Sequence, residues 1–299
     1  MHIEVREPDG DLLVRDSIVA AFFCKKSYPS VAAEFGRVFA SWLARTPEDA
    51  RRFAAIGAHA EEFKPLTSRS LARARVEFDP ARAKTRDMCS LDICGPQEIN
   101  ADRMFHFSGS RDLAAEETCD LEIRTPTSEV ENNPDEYVEF VRRVAELIPY
   151  DSGYASPALV FGVDAQQLKF ARAARAWAFR HPGFDLPKND ATGFALGSKL
   201  RGAYWLTFVG PDALARLGGE TALQSALPVE VEVQPAGIGV MLRLGKMPEV
   251  GDVNRMENLP IVRATAKVLE PVSRFNDNFL NHNFIDSDER ARWERRHLD

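Results

Sequence analysis

The sequence predicts an α+β protein, an antiparallel β-sheet with helices packed against it, and three observations carry that reading. Short strand-like runs, Cys89–Cys94, Arg103–Ser108 and Cys119–Thr125, follow one another with only polar or Gly/Pro stretches between them. Those connections hold no helix-length crossover, so antiparallel pairing follows. Longer segments, Pro29–Arg45 and Asp135–Ile148, repeat apolar residues at helical spacing and are long enough to pack on a sheet. The order of strand, helices, antiparallel strands and helix occurs loosely in both halves. With 299 residues the chain suits one bilobed unit.

The elements follow in order. Asp11–Cys24 alternates weakly and then turns continuously apolar through Ile18–Phe23, which predicts a hairpin whose second strand enters the core. In the helix Pro29–Arg45, Val31, Phe35, Val38, Phe39 and Trp42 share one face. Thr46, with Pro47, Glu48 and Asp49 after it, reads as the cap and first turn of a second helix. Phe53–Thr85, rich in Arg and Ala, reads as broken helices or a long loop. After the strands, Thr125-Pro126-Thr127 breaks the chain. Helix Asp135–Ile148 then carries Tyr137, Phe140, Val141, Val144 and Ile148 inward, and Pro149 stops it. Asp151–Tyr154 reads as a turn into a strand at Ala158–Phe161, and Ala165–Arg180 as a helix ended by His181-Pro182-Gly183-Phe184.

Leu200–Asp252 organises the second half. Leu200–Gly210 is rich in aromatic and β-branched residues between glycines and reads as a buried strand around Trp205 and Phe208. Pro211 opens a short helix that Gly218-Gly219 stops, because glycine enters the left-handed conformation at little cost. A second short helix runs to Pro228. Strands Val229–Gln234 and Ile238–Leu244 follow, joined by Pro235-Ala236-Gly237. A helix at Leu259–Leu269, an Asn-rich segment Arg274–Ile285 lying along the body, and a charged helix Asp286–His297 capped by Ser287 and anchored by Trp293 close the chain.

The formal net charge of −7 argues against general nucleic-acid binding and against anionic membrane surfaces, and suits a basic protein partner. Met1–Gly10 lacks the apolar core of a signal peptide, and no run reaches the roughly 18 apolar residues of a membrane span. A cytoplasmic location is expected. Cys24, Cys89, Cys94 and Cys119 fit neither a CxxC pair nor a zinc knuckle, so buried free thiols are expected.

Catalytic patterns are thin. The histidines are scattered, with no HxxxH or HxH pair for a metal. There is no GxSxG elbow, no Walker loop and no GxGxxG, so no cofactor is indicated. Cys89 and Cys94 with His106 are the one thiol combination, and buried structural cysteines are the simpler reading. Glu62-Phe63-Lys64 matches half of a nuclease ExK site, but in a helical or irregular segment where that chemistry needs a core strand. From Asp112 to Glu146 acids clearly outnumber bases. Glu129, Glu131, Asp135, Glu136 and Glu139, at a helix N-terminus, are the candidate partner-binding residues, against the plainer reading that they cap and solvate the helix.

Several stretches carry a resemblance. They are Pro149–Ala155, His181–Pro187, Leu200–Phe208, Leu214–Gly219, Gly251–Arg255 and Leu259–Ala264. Together they resemble the bacterial type VI secretion immunity proteins. The resemblance covers 125–271, is looser over 1–124, and stops before a tail at 272–299. It implies a non-enzymatic cytoplasmic antitoxin that binds and occludes a toxin, with nucleases of the PD-(D/E)xK and VRR-Nuc types among the partners. An enzyme acting on a toxin product, or an adaptor of the secretion machinery, are the alternatives.

Overall fold

The computed structural model describes residues 2–57, 62–95, 101–161, 167–275 and 286–299. The chain opens with β1 (Glu4–Arg6), which turns back into β2 (Leu12–Cys24). Helix α1 (Tyr28–Arg45) follows, then β3 (Phe53–Ile56), β4 (Lys64–Pro65), α2 (Ser68–Glu77) and α3 (Pro80–Ala83). Three strands then meander: β5 (Met88–Cys94), β6 (Met104–Ser110) and β7 (Cys119–Thr125). Helices α4 (Thr127–Asn132) and α5 (Pro134–Leu147) lead to β8 (Ser152–Phe161), α6 (Gln167–Arg180), α7 (Asn189–Gly193) and β9 (Leu206–Val209). The chain continues with α8 (Pro211–Arg216), α9 (Glu220–Ala226), β10 (Val231–Ala236), β11 (Gly239–Leu244), α10 (Pro260–Leu269) and α11 (Ser287–Glu294).

All these strands join one 11-stranded sheet in the order β10-β11-β9-β8-β2-β7-β6-β5-β3-β4, with β1 also on β2, and the ladders are antiparallel. The α+β class is as expected. The two halves meet at the centre, where β8 and β2 pair from Val14↔Phe161 to Phe23↔Ser152. β2 reads as a continuous apolar run because both its faces are covered. Ile18, Ala20 and Phe22 point to the core beneath α1 and α5; Val19, Ala21 and Phe23 point to the opposite face with Tyr154, Ala158 and Val160.

The main core lies between the sheet and α1, α2, α3 and α5. Phe35, Phe39 and Trp42 of α1 meet Phe105 and Phe107 of β6 and Phe78 beyond α2 in one aromatic cluster. Burying each such ring contributes about 2–3 kcal/mol. On the other side of the C-terminal half, Val209, Leu242 and Leu244 pack against Ala213, Leu223, Ala266 and Leu269 of α8, α9 and α10. A third cluster joins Leu13, Val14 and Leu159 to α6 and to Trp293 of α11, the anchor expected from the sequence.

Several local expectations need correction. In the stretch Asp151–Tyr154 the turn reading holds for no more than the bend at Asp151, because β8 begins at Ser152. Gly153 sits there because the Phe22 ring crosses it: a Cβ would meet Phe22 at 2.5 Å, and Phe208 packs on the same ring at 4.8 Å. The strand at Leu200–Gly210 shrinks to Leu206–Val209. Before it, Gly202 has φ +147, and Tyr204 N–H donates to Thr207 Oγ1 at 3.0 Å, which folds the backbone off the ladder. No helix begins at Thr46; a short 3-10 turn at Glu48–Ala50 feeds β3 instead. Strand β3 is only four residues long, too short to show a period. Pro235 and Ala236 belong to the ladder, so the turn falls at Gly237-Ile238. The α11 cap is Asp286, which accepts from the Glu289 N–H at 2.8 Å, rather than Ser287. The segment expected along the body lies outside the described residues beyond Phe275.

Candidate functional site

The acids singled out in the sequence lie on α4 and the first turns of α5. Pro126 stands at the N-cap of α4 and Pro134 opens α5 at the position where the missing N–H costs nothing, and Val130, Tyr137, Phe140 and Val141 bury the inner face. The opposite face carries the carboxylates to the surface.

Each of the five has a partner within the chain. Glu129 pairs with Arg103 just before β6. Glu131 lies 3.7 Å from the His2 ring. Asp135 meets Arg243 of β11 at 2.6 Å, and Glu136 meets Arg45 at the end of α1 at 2.6 Å. Arg45 also lies over the Phe140 ring at 5.1 Å. Glu139 takes both Arg142 and Arg143, at 2.9 and 2.8 Å. The Arg142 and Arg143 hydrogen bonds hold the Glu139 carboxyl down at about 2. Arg243, likewise by hydrogen bonding, lowers Asp135. The five therefore share one stretch of surface but fan out, toward β6, the N-terminus, β11, α1 and along α5. The strip is a set of oriented, partly exposed carboxylates backed by arginines and, at Glu131, by His2, not a free acidic patch. The Glu139 partners are local, at i+3 and i+4, but Arg45, Arg103 and Arg243 come from other segments, and no local pattern pointed to them.

His106 stands on the other face of the sheet from α1. Its ring nitrogens lie 2.7 Å from Asp92 Oδ1 and 3.1 Å from Asp120 Oδ1. Period-2 alternation on β5, β6 and β7 puts these three on one side, with Glu122 and Arg124 beside them. Burial alone would lower the His106 pKa, but the two carboxylates raise it well above the usual histidine value. The structure agrees with the reading of Cys89 and Cys94 as buried structural cysteines: Cys89 faces the main core, and burial pushes both thiols up to about 12. The four cysteines are free and buried. Glu62 and Lys64 are an exposed ion pair at 3.6 Å beside the sheet edge. Among the described residues no group of three His, Cys, Asp or Glu is arranged to hold a metal ion.

The His106 pair sets a pH test. A group raised in the folded state contributes stability that is fully present below its unfolded pKa and is lost as pH rises through the folded value. The wild type should therefore lose urea stability between neutral and alkaline pH, and His106→Gln should lose less over that range. Parallel pH profiles would remove the clamp from the account.

The resembling stretches meet around one buried network. Asp185, fully buried, accepts from Arg201 Nη1 at 2.9 Å, Tyr154 Oη at 2.7 Å and Tyr204 Oη at 3.2 Å. Nearby, Arg180 grips the Asp252 carboxylate at 2.8 Å, and the His181 ring contacts the Gly251 carbonyl at 2.5 Å. The contacts around Asp185 are buried, so this part of the signature builds the framework on which the surface charges stand.

A single antiparallel sheet with helices packed on it, braced by a buried ion-pair network, defines an α+β scaffold. Comparison gives that scaffold its family. The model for TsiV, type VI immunity for VRR-NUC, matches residues 43–297, and the chain belongs to this family. Its role is thus type VI immunity. No curated protein matches the chain. Among solved structures, the Pseudomonas aeruginosa T6SS protein PA0821 superposes with a TM-score of 0.76 at 18% identity, covering 97% of this chain and 90% of that one. That likeness shows a shared fold. Among the described residues no helix is long and apolar enough to cross a membrane.

Proposed function

We propose that this protein neutralises a VRR-NUC toxin by binding it, without catalysis, and that the α4–α5 carboxylates sit over the toxin's basic, phosphate-binding cleft. The observation that carries this reading is the orientation of Glu129, Glu131, Asp135, Glu136 and Glu139 on one surface by neighbouring residues of the same chain. A nuclease cleft must be cationic to hold phosphates, and carboxylates held where phosphates would lie compete for the same Arg and Lys. Pairing reduces the net charge of the strip. It also fixes the side-chain rotamers, so less entropy is lost when the toxin docks. The net charge of −7 supports a protein partner over nucleic acid. Because nuclease toxins act on intracellular DNA, the cytoplasm is the compartment where such binding would protect.

Changing Glu131, Glu136 and Glu139 together to Gln tests the reading. The variant removes carboxylates and leaves Arg45, Arg142 and Arg143 facing a cationic cleft. Its Kd for the toxin, by titration calorimetry, should rise by at least about tenfold, and association should slow with added salt in the parent. The melting temperature should stay within about 4 °C, because the three pairs are partly exposed. An unchanged Kd would move the interface away from α4–α5.

A further inference from the structure

The chain carries a net charge of −7, yet one end of its surface is basic. Arg69, Arg73 and Arg75 of α2, Arg82 of α3 and Lys84 just after it are all exposed. Other surface arginines are held by acids of the same chain, as Arg45, Arg142, Arg180, Arg243 and Arg295 are. Among the described residues the ion pairs at the basic end are Arg51–Glu48, Lys64–Glu62 and Arg111–Asp87, and none reaches any of the five. Arg73 meets only a carbonyl, that of Ile56, at 3.4 Å. The remaining acids nearby are engaged: Glu77 is buried, and Asp79 caps α3 by accepting from the Ala81 and Arg82 N–H groups.

This arrangement works against the helix that carries it. Arg69 stands in the first turn of α2, where the helix dipole disfavours a cation. Arg73 follows it at i+4, so two like charges are neighbours on the helix surface. Val76, 50% exposed, lies on the same face at i+7 from Arg69. Cations that repel one another beside an exposed apolar side chain do nothing for the fold. They match a protein interface, where arginine is enriched and the centre is apolar.

The patch shares its layer with the acids of α4–α5. Helix α1 packs on α5, where Arg45 meets Glu136 and the Phe140 ring, and also on α2 and α3, where Phe39 meets Phe78. Helix α5 packs toward β10, and α2 reaches β3 through Arg73. One helical layer on one face of the sheet therefore carries carboxylates at one end and unpaired cations at the other. Packed helices lie about 8–10 Å apart, so an interface of about 800 Å² per partner is wide enough to touch both ends.

We infer that α2–α3 is a second, cationic contact for the same toxin, and that it takes a carboxylate-bearing surface beside the toxin's phosphate-binding cleft. The inference rests on the binding reading above. The toxin is the occupant because a partner docked on α4–α5 comes within reach of the patch. Opposite charges at the two ends of one layer also fix the orientation in which that partner docks.

Arg69→Gln together with Arg73→Gln separates contact from fold. Gln keeps the helix propensity and removes the repulsion, so the variant should melt no lower than the parent. Its Kd for the purified VRR-NUC toxin, by titration calorimetry, should rise at least about tenfold. Arg82→Gln with Lys84→Gln should shift Kd in the same direction by a smaller factor. Kd values within about twofold of the parent for both variants would overturn the inference. So would a parent that binds a duplex DNA oligonucleotide, or dimerises in sedimentation, where the Arg69→Gln, Arg73→Gln variant does not. The patch would then serve nucleic acid or a second copy of this chain. If the Gln triple variant of α4–α5 still loses affinity in those cases, the binding reading survives without this contact. If the parent itself fails to bind the toxin, both fall.

Discussion

Arg201→Met is expected to lower the folding free energy by about 3–5 kcal/mol, one of the two largest effects of any single change considered. Arg201 Nη1 lies 2.9 Å from Asp185, 2.7 Å from the Tyr154 hydroxyl and 3.1 Å from Asn189 Oδ1, and Nη2 donates to the Leu186 carbonyl at 3.3 Å. Tyr154 also stacks on Tyr204, with ring centroids 4.3 Å apart. Removing the guanidinium leaves the Asp185 carboxylate in a site that water does not reach, and an uncompensated buried charge is far costlier than a missing hydrogen bond. Urea titration at neutral pH measures the loss. The double change Asp185→Leu with Arg201→Met should cost less than Arg201→Met alone, because both charges leave together. A double variant that is worse by the sum of its parts would show that the two side chains act separately.

Trp205→Ala is the second large effect, again about 3–5 kcal/mol. Trp205 is 4% exposed and stacks on Tyr137 of α5 at 6.0 Å with an interplanar angle of 8°. Its Nε1–H donates to the Gly245 carbonyl at 3.1 Å. One side chain therefore fastens α5, the approach to β9 and the turn after β11. Truncation leaves a cavity among three elements that are each held elsewhere and cannot close on it. Protection of cells should fail through loss of folded protein, while Kd measured on the remaining folded fraction stays near that of the parent. A variant that unfolds at the parent's urea midpoint would contradict the anchoring role given to Trp205.

The parts of the fold that were legible in advance share a property. In α1 and α5 the inward residues recur every three or four positions. In β5, β6 and β7 they alternate. Each pattern is complete within its own segment, so it is visible without the rest of the chain. Strand β8 was half hidden because Ser152-Gly153 has turn composition, whereas the glycine is required by the Phe22 ring lying across it. Strand β3 was missed because four residues at a sheet border carry too few side chains to show a period. Helix α4 was not legible after the break at Thr125-Pro126-Thr127, since six residues with one buried side chain, Val130, give no helical stripe.

The candidate site divides in the same way. The acids of α4–α5 are visible as a local excess of charge, and their place at a helix start follows from Pro134 and the first-turn Asp135 and Glu136. That they are paired is not. Glu136 and Arg45 are separated by 91 positions and Asp135 and Arg243 by 108.

The sequence by itself determined the α+β class, the antiparallel character of the sheet, the inward faces of its main helices and the family, because each rests on periodicity or on contiguous motifs. Only the tertiary structure decided that both halves share one sheet through β2 and β8, that His106 answers to Asp92 and Asp120 rather than to a thiol, and that Glu129, Asp135 and Glu136 are held by arginines from other segments of the chain. The physical reason is range: backbone propensity and side-chain period act over a few residues, whereas ion pairing, ring packing and strain depend on which distant segments the core brings within a few ångströms of one another.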